Sequence, residues 1–451
     1  MKPVAKPLKK ITYLQLLLFH VAMALVVYTV NFTGKFFLLG AIIYFLYRIF
    51  TNGNKNDEVL LAAAYITGFE VFSRMTGGAF SYEFAKYAVI GFLVIGMFFK
   101  GFNRKSWPYI FFLVFLVPGV LFSAINLSYE TSIGNAIGFN LSGPVCLAIS
   151  ALYCYDRKMS SQRLQEILLA VLLPIISITT YLYLYTPSIR DVLTGTQSSF
   201  ATSGGFGPNQ VATVLGLGIF ILFSRLLINK SRFVNIVDII LLALISYRAI
   251  VTFSRGGVYV AGICVIVFLI NYFLRSGKKE KSILIPKIVM IVMVILVTWT
   301  YSSISTMGLI DKRYANQDAR GREKEDITTG RTELIDKELQ AFYEYPITGV
   351  GVGKTKEFRQ ELKGKATATH NEMTRMLSEH GVFGIAALLI LMITPIVFRI
   401  KNKSNLYLYS FVIFWLLTIN HSSMRIAAPA FIYGLSLITI INAKKNTLHR
   451  K

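Results

Sequence analysis

ILIPKIVMIVMVILVTWTYSSI, residues 283–304, carries one charge, Lys287, in an otherwise apolar run. A helix needs ~20 mostly apolar residues to cross ~30 Å of hydrocarbon, so this stretch reads as a membrane span. The same kind of run recurs along the chain. Walking outward gives fourteen candidate helices, at 11–31, 34–50, 58–73, 84–100, 107–125, 135–154, 164–186, 208–228, 233–252, 256–274, 283–304, 383–399, 405–420 and 426–443. The sequence therefore predicts an all-α polytopic membrane protein of about 12–14 transmembrane helices.

Composition agrees. The 451 residues are 54% hydrophobic and only 16% charged, with mean hydropathy +0.56. A soluble domain averages about 25% charged residues, so this chain lacks the polar surface to stay in water. Its 47 Lys+Arg against 23 Asp+Glu give a net charge of +24. In a nucleic-acid binder such an excess forms basic stripes; here the bases sit between apolar runs, and no nucleic-acid partner is expected. Cys146, Cys154 and Cys264 all fall inside apolar runs, so no disulfide framework is expected. MKPVAKPLKK opens like a signal peptide, but the apolar run that follows is longer than a signal core, so it reads as the first span.

The charge is explained by topology. With the N-terminus inside, connections assigned to the cytoplasm hold 27 Lys+Arg and the short outer ones hold 7. The remaining 13 lie in one long outer segment, 305–382, balanced by 13 acids. That is the positive-inside pattern. Both termini are expected in the cytoplasm, with three regions: a bundle over 1–304, an extracytoplasmic loop over 305–382 and a helical C-terminal part with a basic tail over 383–451.

Within the loop, residues 332–345 place Ile335, Leu339, Phe342 and Tyr343 on one face of an amphipathic helix ended by Pro346. A second short helix is expected from about Asn371 to Glu379, with Gly381 as its terminating residue. Two such helices would cap a cavity on the outer face.

The outer side also holds the polar features. Phe253-Ser254-Arg255-Gly256-Gly257 is a tight turn whose arginine sits at the membrane boundary against the charge trend, which marks it as functional by default. The plainer alternative is a snorkelling arginine. Ser254 and the glycine pair would offer exposed N–H groups to an anion. Thr329-Gly330-Arg331-Thr332 opens the amphipathic helix, where free N–H groups and the dipole already favour an anion and Arg331 adds a bidentate donor. Arg313, Arg320 and Arg322 read as ordinary solvated bases. Thr369-His370-Asn371-Glu372 puts a histidine among polar residues at a water boundary, where a neutral imidazole could act as general base. The alternative is a structural histidine. His370, Glu372, Glu379 and His380 do not have HExxH spacing, so no metal is expected. Gly349–Thr355 imitates a P-loop, but Thr348 stands where its first glycine should be; it reads as a flexible turn passing close to the bundle. Gly204–Gln210 precedes the eighth span and could line a groove.

These elements together resemble the O-antigen ligase/O-antigen polymerase superfamily. The resemblance rests on SRGG at 254–257, TGRTELIDKELQAFYEYPITGVGVGKT at 329–355 and HNEMTRMLSEHGVFG at 370–384, with GGFGPN at 204–209 similar to that family's "G.f.nPN" element. It covers about 204–384, in order. It implies a GT-C-like glycosyltransferase of the bacterial inner membrane, with its active site facing the periplasm or outside and no cofactor. The donor would be an undecaprenyl-diphosphate-linked glycan and the acceptor a hydroxyl of a glycolipid such as lipid A–core, or of another glycan. By position, Arg255 and Arg331 would grip the diphosphate and His370 would be the base, with Ser254, Asn209, Asn371 and Arg190 contacting substrate. Many members carry an arginine just before the "G.f.nPN" element. Thr194–Phe200 has none, and Arg190 is the nearest. Fourteen spans also exceed the twelve usual in the ligases. The motifs leave ligase, repeat-unit polymerase and protein glycosylation open, with ligase leading. A polysaccharide or lipid transporter is the reading from another class, although no internal repeat is evident.

Overall fold

The computed structural model describes residues 10–129, 131–324, 330–363, 369–401 and 404–441. The first half comprises α1 (Lys10–Thr29), α2 (Thr33–Asn52), α3 (Glu58–Met75), α4 (Phe84–Lys100), α5 (Trp107–Asn126), α6 (Ile133–Cys154), α7 (Ser161–Tyr185) and α8 (Pro208–Ile228). The second comprises α9 (Arg232–Ile250), α10 (Arg255–Arg275), α11 (Lys278–Ser305), α12 (Leu309–Tyr314), α13 (Arg331–Glu344), α14 (Lys354–Lys363), α15 (Glu372–Lys401), α16 (Leu408–His421) and α17 (Ala427–Ser436). Two two-residue strands, β1 (Lys158–Met159) and β2 (Thr439–Ile440), pair in parallel. The protein is all-α apart from that pair.

Local chemistry sets the limits of the helices. Gly53 closes α2 in the left-handed conformation, with φ 58°. The Ser160 hydroxyl accepts from the Arg163 N–H to start α7 at 3.1 Å. Prolines stand in the first turns of α5 and α8, where the missing N–H has no helical partner to lose.

Ten helices among the described residues are long and apolar enough to cross a membrane. Burial orders them. The apolar windows of α7 and α8 are 83% and 89% buried and form the centre, whereas those of α2 and α11 are 17% buried. Val292, Met293, Leu296 and Val297 of α11 are exposed, as a lipid-facing helix requires.

Every candidate span corresponds to a helix, but with three differences. First, α3, α4 and the 14-residue α16, like α17, are outside the ten; α3 carries Glu58, Glu70 and Arg74, all held inside protein rather than facing lipid. Second, the short helix expected at 371–379 is continuous with the next span, and α15 runs through both with a break at Gly381 (φ 58°, ψ −137°). Third, α17 is only 10 residues long, ~15 Å. The backbone beyond it turns extended because Thr439 N donates to Arg157 O at 3.0 Å and Ile441 N to Met159 O at 2.9 Å.

The described part of the loop also holds more helix than expected. α12 and α14 were not anticipated. On α13 the buried residues are Glu338 and Ala341, while Tyr343 is 73% exposed, so the inward face is rotated away from the apolar stripe. The glycine-rich turn at 349–353 does lie against the bundle: Val352 N donates to Gly119 O at 3.1 Å and Val350 N to Ser378 O at 2.8 Å. These bonds make it a fixed strap between α5 and α15.

Gly381 tests this packing. A Cβ there would stand 2.5 Å from the carbonyl oxygens of Pro346 and Ile347, at a φ that L residues rarely adopt. Gly381→Ala is expected to lower thermal stability in detergent by about 1–3 kcal/mol, whereas Gly262→Ala, with open space around it, should leave the melting temperature unchanged or slightly raised. Equal melting temperatures for both variants would contradict the packing at the break.

Candidate active site

The N-termini of α8, α10, α13 and α15 converge at one end of the bundle and enclose a cavity of about 290 Å³. Pro208 fixes the start of α8 and leaves Asn209 in its first turn. Ser254 is the N-cap residue of α10, and its hydroxyl donates to Asn209 Oδ1 at 2.8 Å. That bond ties the GGFGPN and SRGG segments together. The glycines after Arg255 serve packing rather than anion binding. A Cβ on Gly256 would meet the His421 ring at 2.5 Å, and one on Gly257 the Ala212 carbonyl at 2.3 Å. They let α8 and α16 press against α10 so that Arg255 emerges at the cavity wall.

Three arginines line the cavity: Arg255, Arg313 and Arg331. Arg313 Nε donates to Phe253 O at 3.0 Å, and Arg255 Nη1 donates to Arg313 O at 3.3 Å, so α12 and the α9–α10 turn fix each other. Arg313 is 8% exposed, which corrects its reading as a solvated base. Arg331 opens α13 behind Gly330 (φ 82°). Thr329 lies outside the described residues. Burial, followed by the neighbouring Arg255 and Arg425, lowers the Arg331 pKa. Concentrated like charge of this kind is relieved by a bound anion.

Asn371 caps α15: its Oδ1 accepts from Met373 N at 2.9 Å and Thr374 N at 3.3 Å. His370, the residue before, is left on the cavity wall, half-buried. Its Nδ1 has no hydrogen-bond partner among the described residues. Burial first, then the positive charges of Arg425 and Arg331, lowers its pKa to about 4. The imidazole is therefore neutral at physiological pH, on a cavity wall it shares with Arg255, Arg313 and Arg331. Arg425 donates to the Thr369 carbonyl, which fixes the backbone just before His370.

One carboxylate, Glu338, also reaches the cavity. It is fully buried, pairs with Arg359 at 2.6 Å and accepts from Thr374. Burial raises its pKa against the lowering effect of those partners. Ser254, Asn209, Asn371, Arg255, Arg331 and His370 are thus brought together. Arg190 is not: it lies exposed in a 3-10 turn at Arg190–Val192 and does not line the cavity. Sequence reasoning missed Arg313, Glu338, Arg359 and Arg425. For the first and last, the only signal was an arginine on the outer side of the charge trend.

The long apolar helices define a polytopic membrane protein with an arginine-lined cavity at one end of the bundle. A family model described as O-antigen ligase matches residues 239–389, the stretch that holds Arg255, Arg313, Arg331 and His370. The match, to about a third of the chain, supports a membrane enzyme of the O-antigen ligase/polymerase type. No curated protein and no solved structure matches the chain.

The cavity predicts affinity for a diphosphate. Inorganic pyrophosphate should raise the melting temperature of the purified protein, less so at high salt. Arg255→Ala and Arg331→Ala should each weaken the effect by about tenfold or more. No shift in the wild type, or a full shift in both variants, would contradict an anion site.

Proposed function

We propose that the protein transfers a glycan from an undecaprenyl-diphosphate carrier to an acceptor hydroxyl, in the manner of an O-antigen ligase. The carrying observation is the cavity itself, where three arginines face a neutral histidine with an unpartnered ring nitrogen. In this reading the His370 imidazole takes the proton from the acceptor hydroxyl. The freed oxygen attacks the anomeric carbon, the bond from that carbon to the diphosphate oxygen breaks, and the electron pair leaves with the diphosphate. Arg255, Arg331 and Arg313 neutralise the charge that develops there, the role a cation plays in other phosphate sites. Asn209, Ser254 and Asn371 orient the substrate at the rim. The cavity faces the outside of the inner membrane, with both chain termini in the cytoplasm, as the 27-to-7 distribution of bases favours.

A base with a pKa near 4 is weak, and the same geometry supplies the remedy. Its depression comes partly from surrounding positive charge, which a bound diphosphate offsets. The acid limb of kcat/KM for the donor, set by the free enzyme, is expected near pH 4; that of kcat, set by the loaded enzyme, should lie at higher pH. The sign follows from the base needing to be unprotonated: activity is retained above each limb and lost as pH falls through it. Coincident limbs near pH 6.5 would contradict the buried, charge-crowded histidine.

His370→Ala in an inserted, folded protein should abolish transfer from purified lipid-diphosphate donor. Arg255→Lys should also be severely impaired, because a point charge does not reproduce the guanidinium fork. EDTA should leave the rate unchanged. Normal transfer by His370→Ala would remove the base assignment. A deletion strain separates the acceptors: unattached lipid-linked polymer indicates a ligase, and single repeat units indicate a polymerase.

A further inference from the structure

A second cavity, of about 430 Å³, lies beside the first between α6, α14 and the start of α15. Thr369, the residue before His370, lines both. Glu338 lines the first and Arg359 the second, so their buried 2.6 Å ion pair forms part of the wall between them. The two spaces are thus neighbours across one layer of side chains, with Thr369, next in sequence to the proposed base, at their shared edge.

The lining differs in kind. Arg359 pairs with Glu338, Arg375 with Glu379 at 2.6 Å, and Glu357 with Lys354 at 2.8 Å, so the ionised groups of the wall already have partners. Lys356 is an exposed exception. What remains for a ligand is a set of uncharged donors and acceptors, Ser132, Asn135, Asn140 and Gln360, beside the 41%-exposed ring of Phe139. Amides and hydroxyls next to an apolar ring suit a neutral polyhydroxyl ring, which presents hydroxyls at its rim and C–H groups on its face. The volume falls in the ordinary range for small-molecule sites, about 300–1,000 Å³.

We infer that this second cavity holds the sugar that accepts the transferred glycan, with its hydroxyl directed past Thr369 to His370. This rests on the transferase reading above and adds the acceptor's place and chemistry: an uncharged pyranose of the accepting glycan, apart from the diphosphate.

The test does not require turnover. Cys146, Cys154 and Cys264 are buried, so Asn135→Cys, at an exposed position in the second cavity, can be labelled selectively with a maleimide. The probes are oligosaccharide released by mild acid from the cells' own acceptor glycolipid, the intact lipid-diphosphate-linked donor glycan, and inorganic pyrophosphate. Free oligosaccharide should slow labelling about tenfold at ten times its dissociation constant, pyrophosphate should not, and labelling of Tyr343→Cys on exposed α13 surface should be unaffected. Labelling unchanged by free oligosaccharide overturns the inference, as does protection by the intact lipid-linked glycan alone, which would make the cavity a donor-sugar site. As a second readout, Asn135→Leu should raise the acceptor KM with the donor KM unchanged; the reverse split also overturns it. A wild type that binds oligosaccharide but transfers none would instead sink the transferase reading.

Discussion

Arg375 is the residue around which the cavity end of the bundle is assembled. Buried in the first turns of α15, it pairs with Glu372 and, at 2.6 Å, with Glu379. Each member of the cluster holds a different segment. Arg375 Nη2 donates to Asn140 O of α6 at 3.0 Å, Glu379 Oε1 accepts from Gly353 N of the glycine strap at 2.9 Å, and Glu372 Oε2 accepts from Met424 N at 3.4 Å. Isolated charges would not tolerate this burial; here two carboxylates share one guanidinium and every member is hydrogen-bonded. The consequence is positional. The cluster fixes where α15 begins, and therefore where Asn371 caps it and His370 projects.

A second network extends that control. Arg74 pairs with Glu70 and donates to Arg425 O at 3.0 Å, while Glu70 Oε2 accepts from Ala427 N at 2.6 Å. Arg425 in turn holds the Thr369 carbonyl. The charged residues of α3 thus explain both why that helix is buried on all sides and how the stretch around His370 stays in place. Charges a lipid-facing helix could not carry are used here to fix the geometry of a polar site.

The helical bundle was legible because a lipid-spanning helix must announce itself by hydrophobicity and length, and ten of the helices do so without reference to anything distant. Arg255, Arg331 and His370 were legible because each stands at a helix start on the side where the charge trend disfavours bases. Glu338 was not: on α13 it interrupts an apolar stripe, and only its contact with Arg359 on α14 explains why the helix turns that side inward. Arg313 was hidden among similar loop arginines, since its burial depends on the Phe253 carbonyl 60 residues away. The short α17 was overextended for a related reason. Its apolar sequence continues, but pairing with β1 ends the helix. Local pattern carried the information wherever the environment was lipid, and failed wherever a distant partner set the conformation.

The central claim is that the arginine-lined cavity between α8, α10, α13 and α15 receives the carrier's diphosphate. A cryo-electron microscopy structure of the purified protein with bound undecaprenyl diphosphate tests it most directly. The account predicts phosphate oxygens at about 3 Å from the guanidiniums of Arg255 and Arg331, with the His370 ring on the same cavity wall. Diphosphate density seated away from these arginines would contradict it.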